Sequence, residues 1–217
     1  MVTFSEENYL KAIYHLGKQG KVAVSTNAIA EKIETKASSV TDMIKKLADK
    51  NLANYVKYQG VSLTNEGRLA AALVIRKHRL WEVFLVDKLN FSWDEVHEVA
   101  EQLEHIKSMK LVDELDAFLS FPKQDPHGDP IPDKNGDYSP IKSINMLEIG
   151  LGKEGFLSLV KDSSDAFLKY LNKNNLALGD KIKILDFEPF DSSLVIETSN
   201  KKLIISKDVA QNLYLSL

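Results

Sequence analysis

The stretch Asp94-Glu95-Val96-His97-Glu98-Val99-Ala100-Glu101-Gln102-Leu103-Glu104-His105 constrains this chain more than any other. Val96, Val99, Ala100, Leu103 and Ile106 recur at three- and four-residue steps, which predicts a helix with one face buried. His97, Glu101, Glu104, His105 and Ser108 recur at the same steps on an adjoining stripe. Two imidazoles and two carboxylates on one stripe form a metal-ligand pattern, and this mixture of N and O donors suits manganese, iron(II) or zinc. A solvated face would show the same residues in isolation. However, a preceding helical stretch, Arg76-Lys77-His78-Arg79-Leu80-Trp81-Glu82, also presents an imidazole and a carboxylate four residues apart, His78 and Glu82. Two such helices predict a metal site built between helices.

Charge divides along the chain. Residues 1–80 carry 13 Lys/Arg against 7 Asp/Glu, residues 81–130 carry 4 against 12, and the remainder is nearly balanced. A basic first segment suits a polyanion such as DNA, and an acidic second segment suits cations. No run of about 18 apolar residues predicts a membrane span. The first residues lack the basic and apolar regions of a signal peptide, so the expected location is the cytoplasm. With no cysteine among 217 residues, thiolate ligands, disulfides and a cysteine nucleophile are excluded.

The basic segment reads as helix, helix, short turn, helix and hairpin. Ser5 is a candidate N-cap for a first helix with Tyr9, Leu10, Ile13 and Leu16 inward, ended by Gly17 and Gly20. Ser25 caps a second helix over residues 26–33. A third, over residues 37–48, turns Val40, Ile44 and Leu47 to the core. Tyr55, Val56, Tyr58, Val61 and Leu63 flank Gln59-Gly60, which predicts a β-hairpin. This order is a winged helix-turn-helix. Ser38, Ser39, Thr41 and Asp42 then stand at the start of the groove-reading helix, where short polar side chains approach base edges. Lys36, Lys45, Lys46 and Lys57 are placed for phosphates, and Gln59 for a wing contact.

From residue 65 to 89 the apolar period predicts one long helix, and Leu111, Val112, Leu115, Phe118 and Leu119 extend the pattern in a further helix. This is more apolar surface than one chain is expected to bury. Trp81 and Phe84 are candidates for a dimer contact, which fits a winged helix reading two half-sites. Residues 121–144 are rich in Pro, Gly and Asp and read as an ordered connector. Strands are expected at 155–160, 181–185, 194–197 and 201–205, a helix at 165–171 and a final turn at 209–213. The fold class is therefore mainly α with small β. Its expected domains are a DNA-binding domain over 1–70, a helical metal-binding and dimerisation domain with its connector over 71–145, and a C-terminal domain over 146–217. Catalysis is not expected: the chain holds no HExxH pattern, nucleophile elbow or Gly-rich phosphate loop.

Several pieces together resemble the diphtheria toxin repressor family of metal-dependent transcriptional regulators. They are Glu7 through Tyr14, Ser38-Ser39-Val40-Thr41, Leu63 through Gly67, Arg76 through Glu82, His97 through His105, and Asp125-Pro126-His127-Gly128-Asp129-Pro130. The resemblance implies a homodimeric repressor that binds a double-stranded DNA operator when divalent metal is bound, with a C-terminal SH3-like β-barrel. Carried over by position, it places the primary metal site on Asn8, His78, Glu101, Glu104 and His105. An ancillary site falls on Glu82, Asp125 and His127 with Asp165, and His97 contributes. The iron-responsive branch has a cysteine at the position of Glu101, and the manganese-responsive branch has a glutamate. A hard carboxylate there favours Mn2+, with Fe2+ as the alternative, and a DNA-binding regulator whose metal sites are only structural as the further reading. Two departures stand out. Asn8 offers a neutral amide where the manganese branch has aspartate, and Lys11 stands where the short manganese regulators place a second carboxylate.

Overall fold

The computed structural model describes residues 2–199 and 201–217. Among these residues the chain forms two compact units. The first runs through Trp81, Ala100–Leu115 and Ile131–Tyr138, and the second through Glu82–Val99, Asp116–Pro130 and Ser139–Leu217.

The first unit opens with α1 (Phe4–Leu16). Its cap is Thr3 rather than the expected Ser5. The Thr3 hydroxyl accepts from the Glu6 N–H, and the Glu6 carboxylate accepts from the Thr3 N–H at 2.8 Å. This reciprocal pair satisfies two of the helix's orphan donors, which Ser5 inside the first turn cannot do. Gly17 ends α1 by donating to Ile13 O at 2.9 Å. Helices α2 (Thr26–Lys32) and α3 (Ala37–Asp49) follow, then strands β1 (Ala53–Val56) and β2 (Gly60–Leu63).

The strands pair antiparallel, Ala53 with Leu63 and Val56 with Gly60. The wing loop is therefore Lys57 to Gln59, one residue longer than a Gln59-Gly60 turn. The extra residue is accommodated by left-handed backbone at Tyr58 (φ 68°) and Gly60 (φ 101°). Gly60 also lies against the Val24 backbone, where an added Cβ would stand 2.5 Å from the Val24 carbonyl oxygen. Val24 bridges to Val61 as a third strand fragment and ties the wing to the helices. Leu10, Ile13, Ile29, Val40, Ile44, Leu47, Val61 and Leu63 fill the core beneath.

Helix α4 (Asn65–Leu89) is continuous, as the sequence period predicts, and α5 (Val96–Leu103) and α6 (Met109–Phe118) follow it. The helix expected to run to His105 stops at Leu103. The Ile106 N–H donates to Leu103 O at 3.2 Å and closes a tight turn, so Glu104 and His105 project from that turn. Trp81 is buried within the chain at 9% exposure and is not available for a dimer contact. Phe84 is half-buried against Phe118, with ring centroids 6.2 Å apart. Leu111 and Phe118, two turns apart on α6, remain exposed.

The C-terminal part of the second unit contains β3 (Ile144–Asn145), a 3₁₀ turn (Met146–Glu148), β4 (Glu154–Val160), α7 (Asp165–Lys173), β5 (Lys181–Phe187), β6 (Leu194–Thr198), β7 (Lys201–Ile205), α8 (Lys207–Ala210) and β8 (Leu213–Ser216). The six strands form an antiparallel SH3-like sheet in the order β3-β8-β4-β5-β6-β7. Where a final turn was expected, the chain forms α8 and then inserts β8 between β3 and β4. Leu213 and Leu215 point into the core and alternate with Tyr214 and Ser216, the period-two pattern of a half-buried strand. Among the described residues, no helix is long and apolar enough to cross a membrane.

Candidate metal centre and nucleic-acid interface

Within the second unit, Glu82, Asp125 and His127 form a buried cluster whose ligand atoms all lie within 4.8 Å of one another. Glu82 comes from α4. Asp125 and His127 come from a connector loop whose shape follows from its sequence. The Asp125 Oδ1 accepts from the backbone N–H of His127 at 2.8 Å and of Asp129 at 3.0 Å. The Gly128 N–H donates to Asp125 O, and Gly128 takes φ 88°, which only glycine adopts without cost. A Cβ on Gly128 would meet the Ser158 carbonyl oxygen at 2.1 Å, so glycine also permits the loop to lie on β4. The Val160 N–H donating to His127 O at 2.9 Å completes that seat.

The His127 ring is fixed in one useful tautomer. Its Nε2 lies 2.7 Å from the Trp93 carbonyl oxygen, which can only accept, so Nε2 carries the proton. The Nδ1 lone pair is then turned to the carboxylates, 3.9 Å from Glu82 Oε2 and 4.0 Å from Asp125 Oδ1. A backbone carbonyl orienting a ligand imidazole is the usual outer partner of a metal-binding histidine. Trp93 stacks beside the ring at 6.2 Å and is itself held by its indole N–H on Asn172 of α7, at 2.8 Å. Two carboxylates and one imidazole, all buried, fit a hard or borderline divalent cation. His97 Nδ1 lies 3.5 Å from Glu82 Oε1 at the margin of this cluster. The structure does not bring Asp165 into it: that carboxylate is exposed and pairs with Lys169 at 3.5 Å.

Within the first unit, the residues assigned to the primary site meet in a different way. Glu104, 1% exposed, accepts on Oε2 from both His78 Nδ1 and Lys11 Nζ, each at 2.7 Å. Lys11 also lies 3.6 Å from Glu101 Oε1. Burial pushes the Glu104 carboxyl upward, but the His78 hydrogen bond and the Lys11 charge outweigh it and hold the group below the usual carboxylate range. His105 Nδ1 meets Glu7 at 2.5 Å, and Glu7 also pairs with Lys77 at 3.5 Å. The carboxylate that α1 supplies to His105 is thus Glu7. Asn8, the next residue, is half-buried on the same helix. Sequence reasoning passed over Glu7, although its four-residue spacing from Lys11 puts the two on one face.

On α3 the expected groove-reading residues are presented outward. Lys36, Ser38, Ser39, Asp42 and Lys45 are exposed and Thr41 is half-buried. The Thr41 hydroxyl donates to Ala37 O at 3.0 Å, and Asp42 and Lys45 pair at 3.8 Å. Lys57 and Gln59 are exposed on the wing. Between them stands a residue the sequence reading gave to the hairpin and not to the DNA surface. Tyr58 is 93% exposed at the wing tip with the Lys57 ammonium 5.0 Å from its ring centre.

Three family descriptions match successive parts of the chain. Residues 1–61 match the family described as iron dependent repressor, N-terminal DNA binding domain, residues 64–133 its metal binding and dimerisation domain, and residues 144–217 the FeoA domain. The iron-dependent repressor IdeR of Mycobacterium leprae is 30% identical over 179 residues, which span 82% of this chain and 69% of that protein. A solved manganese-dependent transcriptional repressor in complex with manganese is 33% identical, with a TM-score of 0.87 over 97% of this chain and 98% of that one. The manganese regulator SloR is 35% identical, with a TM-score of 0.76 over 97% of each chain. The chain belongs to the diphtheria toxin repressor family of metal-dependent transcriptional repressors, in the form that carries a C-terminal FeoA domain.

Proposed function

We propose that this chain is a manganese-responsive repressor of divalent-metal homeostasis, acting in the cytoplasm as a homodimer on operator DNA and carrying out no catalysis. The observation that carries this reading is the buried set of Glu82, Asp125 and His127, with the His127 Nδ1 lone pair turned inward by the Trp93 carbonyl. Its donors are oxygen and imidazole nitrogen only. The chain has no cysteine to offer a softer metal. A divalent cation bound there would be held by two buried carboxylates and one imidazole. The exposed polar start of α3 and the lysines beside it supply the DNA surface. Leu111 and Phe118, exposed on α6, supply apolar surface for a second copy. Metal and DNA favour the same population of the protein, so each strengthens binding of the other.

An iron(II)-responsive repressor is the second reading. It is favoured by the similarity to an iron-dependent repressor, since the same donors accept Fe2+. One experiment separates the two. The purified protein selects genomic DNA fragments with Mn2+, with Fe2+ under anaerobic conditions, and with chelator. Recovery only with Mn2+, from upstream of metal-transport genes, is the expected result. Recovery only with Fe2+ moves the assignment to iron, and equal recovery with chelator removes metal control altogether.

A further inference from the structure

Asn8, His78, Glu101, Glu104 and His105 do not form an open divalent site, because a cation of the protein's own already stands among them. The Lys11 ammonium is 2.7 Å from Glu104 Oε2 and 3.6 Å from Glu101 Oε1. The same Glu104 oxygen takes the His78 N–H, and the His105 ring is bound to Glu7. Glu7 has a cation of its own in Lys77. An ion entering this set must break a short charge-assisted hydrogen bond to a carboxylate that is 1% exposed, and must stand beside an ammonium of like charge. The one neutral donor on α1, Asn8, adds no charge to offset that repulsion.

We propose that Lys11 is a tethered cation that takes the place of a divalent ion between α1, α4 and the turn after α5. This junction is closed without metal, and the metal response of the chain falls to Glu82, Asp125 and His127 alone. The role is electrostatic and positional. Lys11 sits in α1 of the DNA-binding fold, Glu104 is 93 residues further on, and their contact ties the two segments whether or not metal is present.

The inference rests on the metal-responsive reading above, but its test is made without DNA, so the two fail separately. The probe is Mn2+ alone, counted per full-length chain by equilibrium dialysis with the free ion read by electron paramagnetic resonance. The expected count is one for the wild type, unchanged by Glu104→Gln and abolished by His127→Ala. Lys11→Met vacates the carboxylates and raises the count to two, and adding Glu104→Gln returns it to one. A wild-type count of two that Glu104→Gln lowers to one overturns the proposal, as does a count of one that persists in folded Lys11→Met. Should Lys11→Met fail to fold, Lys11→Gln serves, and the wild-type comparison with Glu104→Gln decides independently. A wild type that binds one Mn2+ but no DNA removes the repressor reading and leaves this proposal standing.

Discussion

The set around Glu104 and the set of Glu82, Asp125 and His127 use nearly the same residue types, yet they are prepared for different occupants. In the first, carboxylates converge on a lysine, and His78 spends its Nδ1–H on Glu104. In the second, the imidazole proton is spent outside the cluster on a backbone carbonyl, so the lone pair faces the carboxylates. The difference teaches that residue composition alone does not define a metal site. What decides is whether each donor's lone pair is directed at a common point.

The largest effect that sharpens this contrast is loss of a ligand. His127→Ala or Asp125→Ala is expected to weaken Mn2+ binding by more than the roughly 10–100-fold that outer partners typically cost. Isothermal titration calorimetry reads this directly, and unchanged affinity in both variants would remove the cluster from the account. The counterpart in the first set acts on stability. Glu104→Ala leaves the Lys11 charge, 17% exposed, without its main partner, and urea unfolding of the metal-free chain is expected to show a loss of about 3 kcal/mol.

The pH dependence follows from the same carboxylate. Glu104 titrates lower in the folded chain than in the unfolded one, so its contribution is present above the unfolded value of about 4.3. It is lost as pH falls through the folded value, because the unfolded state then binds the extra proton. Wild-type stability should therefore fall more steeply than that of Glu104→Gln when urea midpoints are followed below about pH 4.3.

A subtler comparison lies in two loops of the same design. Asp125 accepts from residues 127 and 129, and Asp133 accepts from residues 135 and 137, with Gly128 at φ 88° and Gly136 at φ 82°. The backbone is repeated, but one loop presents His127 and the other Asn135. Gly128→Ala is expected to cost about 1–3 kcal/mol and to lower Mn2+ affinity, because the new methyl strikes the Ser158 carbonyl. Gly136→Ala carries similar backbone strain with only side-chain and Cβ neighbours at 3.2 Å, and should leave Mn2+ affinity intact in the same titration. The smallest effect belongs to the DNA surface. Lys45→Ala should weaken binding across sequences and lower the logarithmic salt slope by about one, read by fluorescence anisotropy at several salt concentrations.

Much of the fold was legible because apolar periodicity reports burial. The long α4 and the helices and strands of the DNA-binding fold follow directly from it. The termini were less so: the cap moved from Ser5 to Thr3, and α5 stopped before Glu104, since such details depend on single hydrogen bonds. The grouping of Glu82, Asp125 and His127 was legible through family resemblance, which also put Asp165 with them. That Glu7 meets His105 was not, because adjacent residues differ by about 100° around a helix and the sequence does not say which faces a distant histidine. Nor could the sequence show that Lys11 reaches Glu104, or that the Trp93 carbonyl sets the His127 tautomer. The first is a contact across 93 residues, and the second uses a backbone atom that every residue possesses.

The most direct test of metal control is anisotropy of a labelled genomic fragment selected by the protein, titrated with Mn2+ from a chelated start, for the wild type and His127→Ala. The wild type is predicted to bind as Mn2+ rises and His127→Ala to remain unbound over the same range. Binding in chelator, or an unaltered Mn2+ response in His127→Ala, would contradict the assignment of metal control to Glu82, Asp125 and His127.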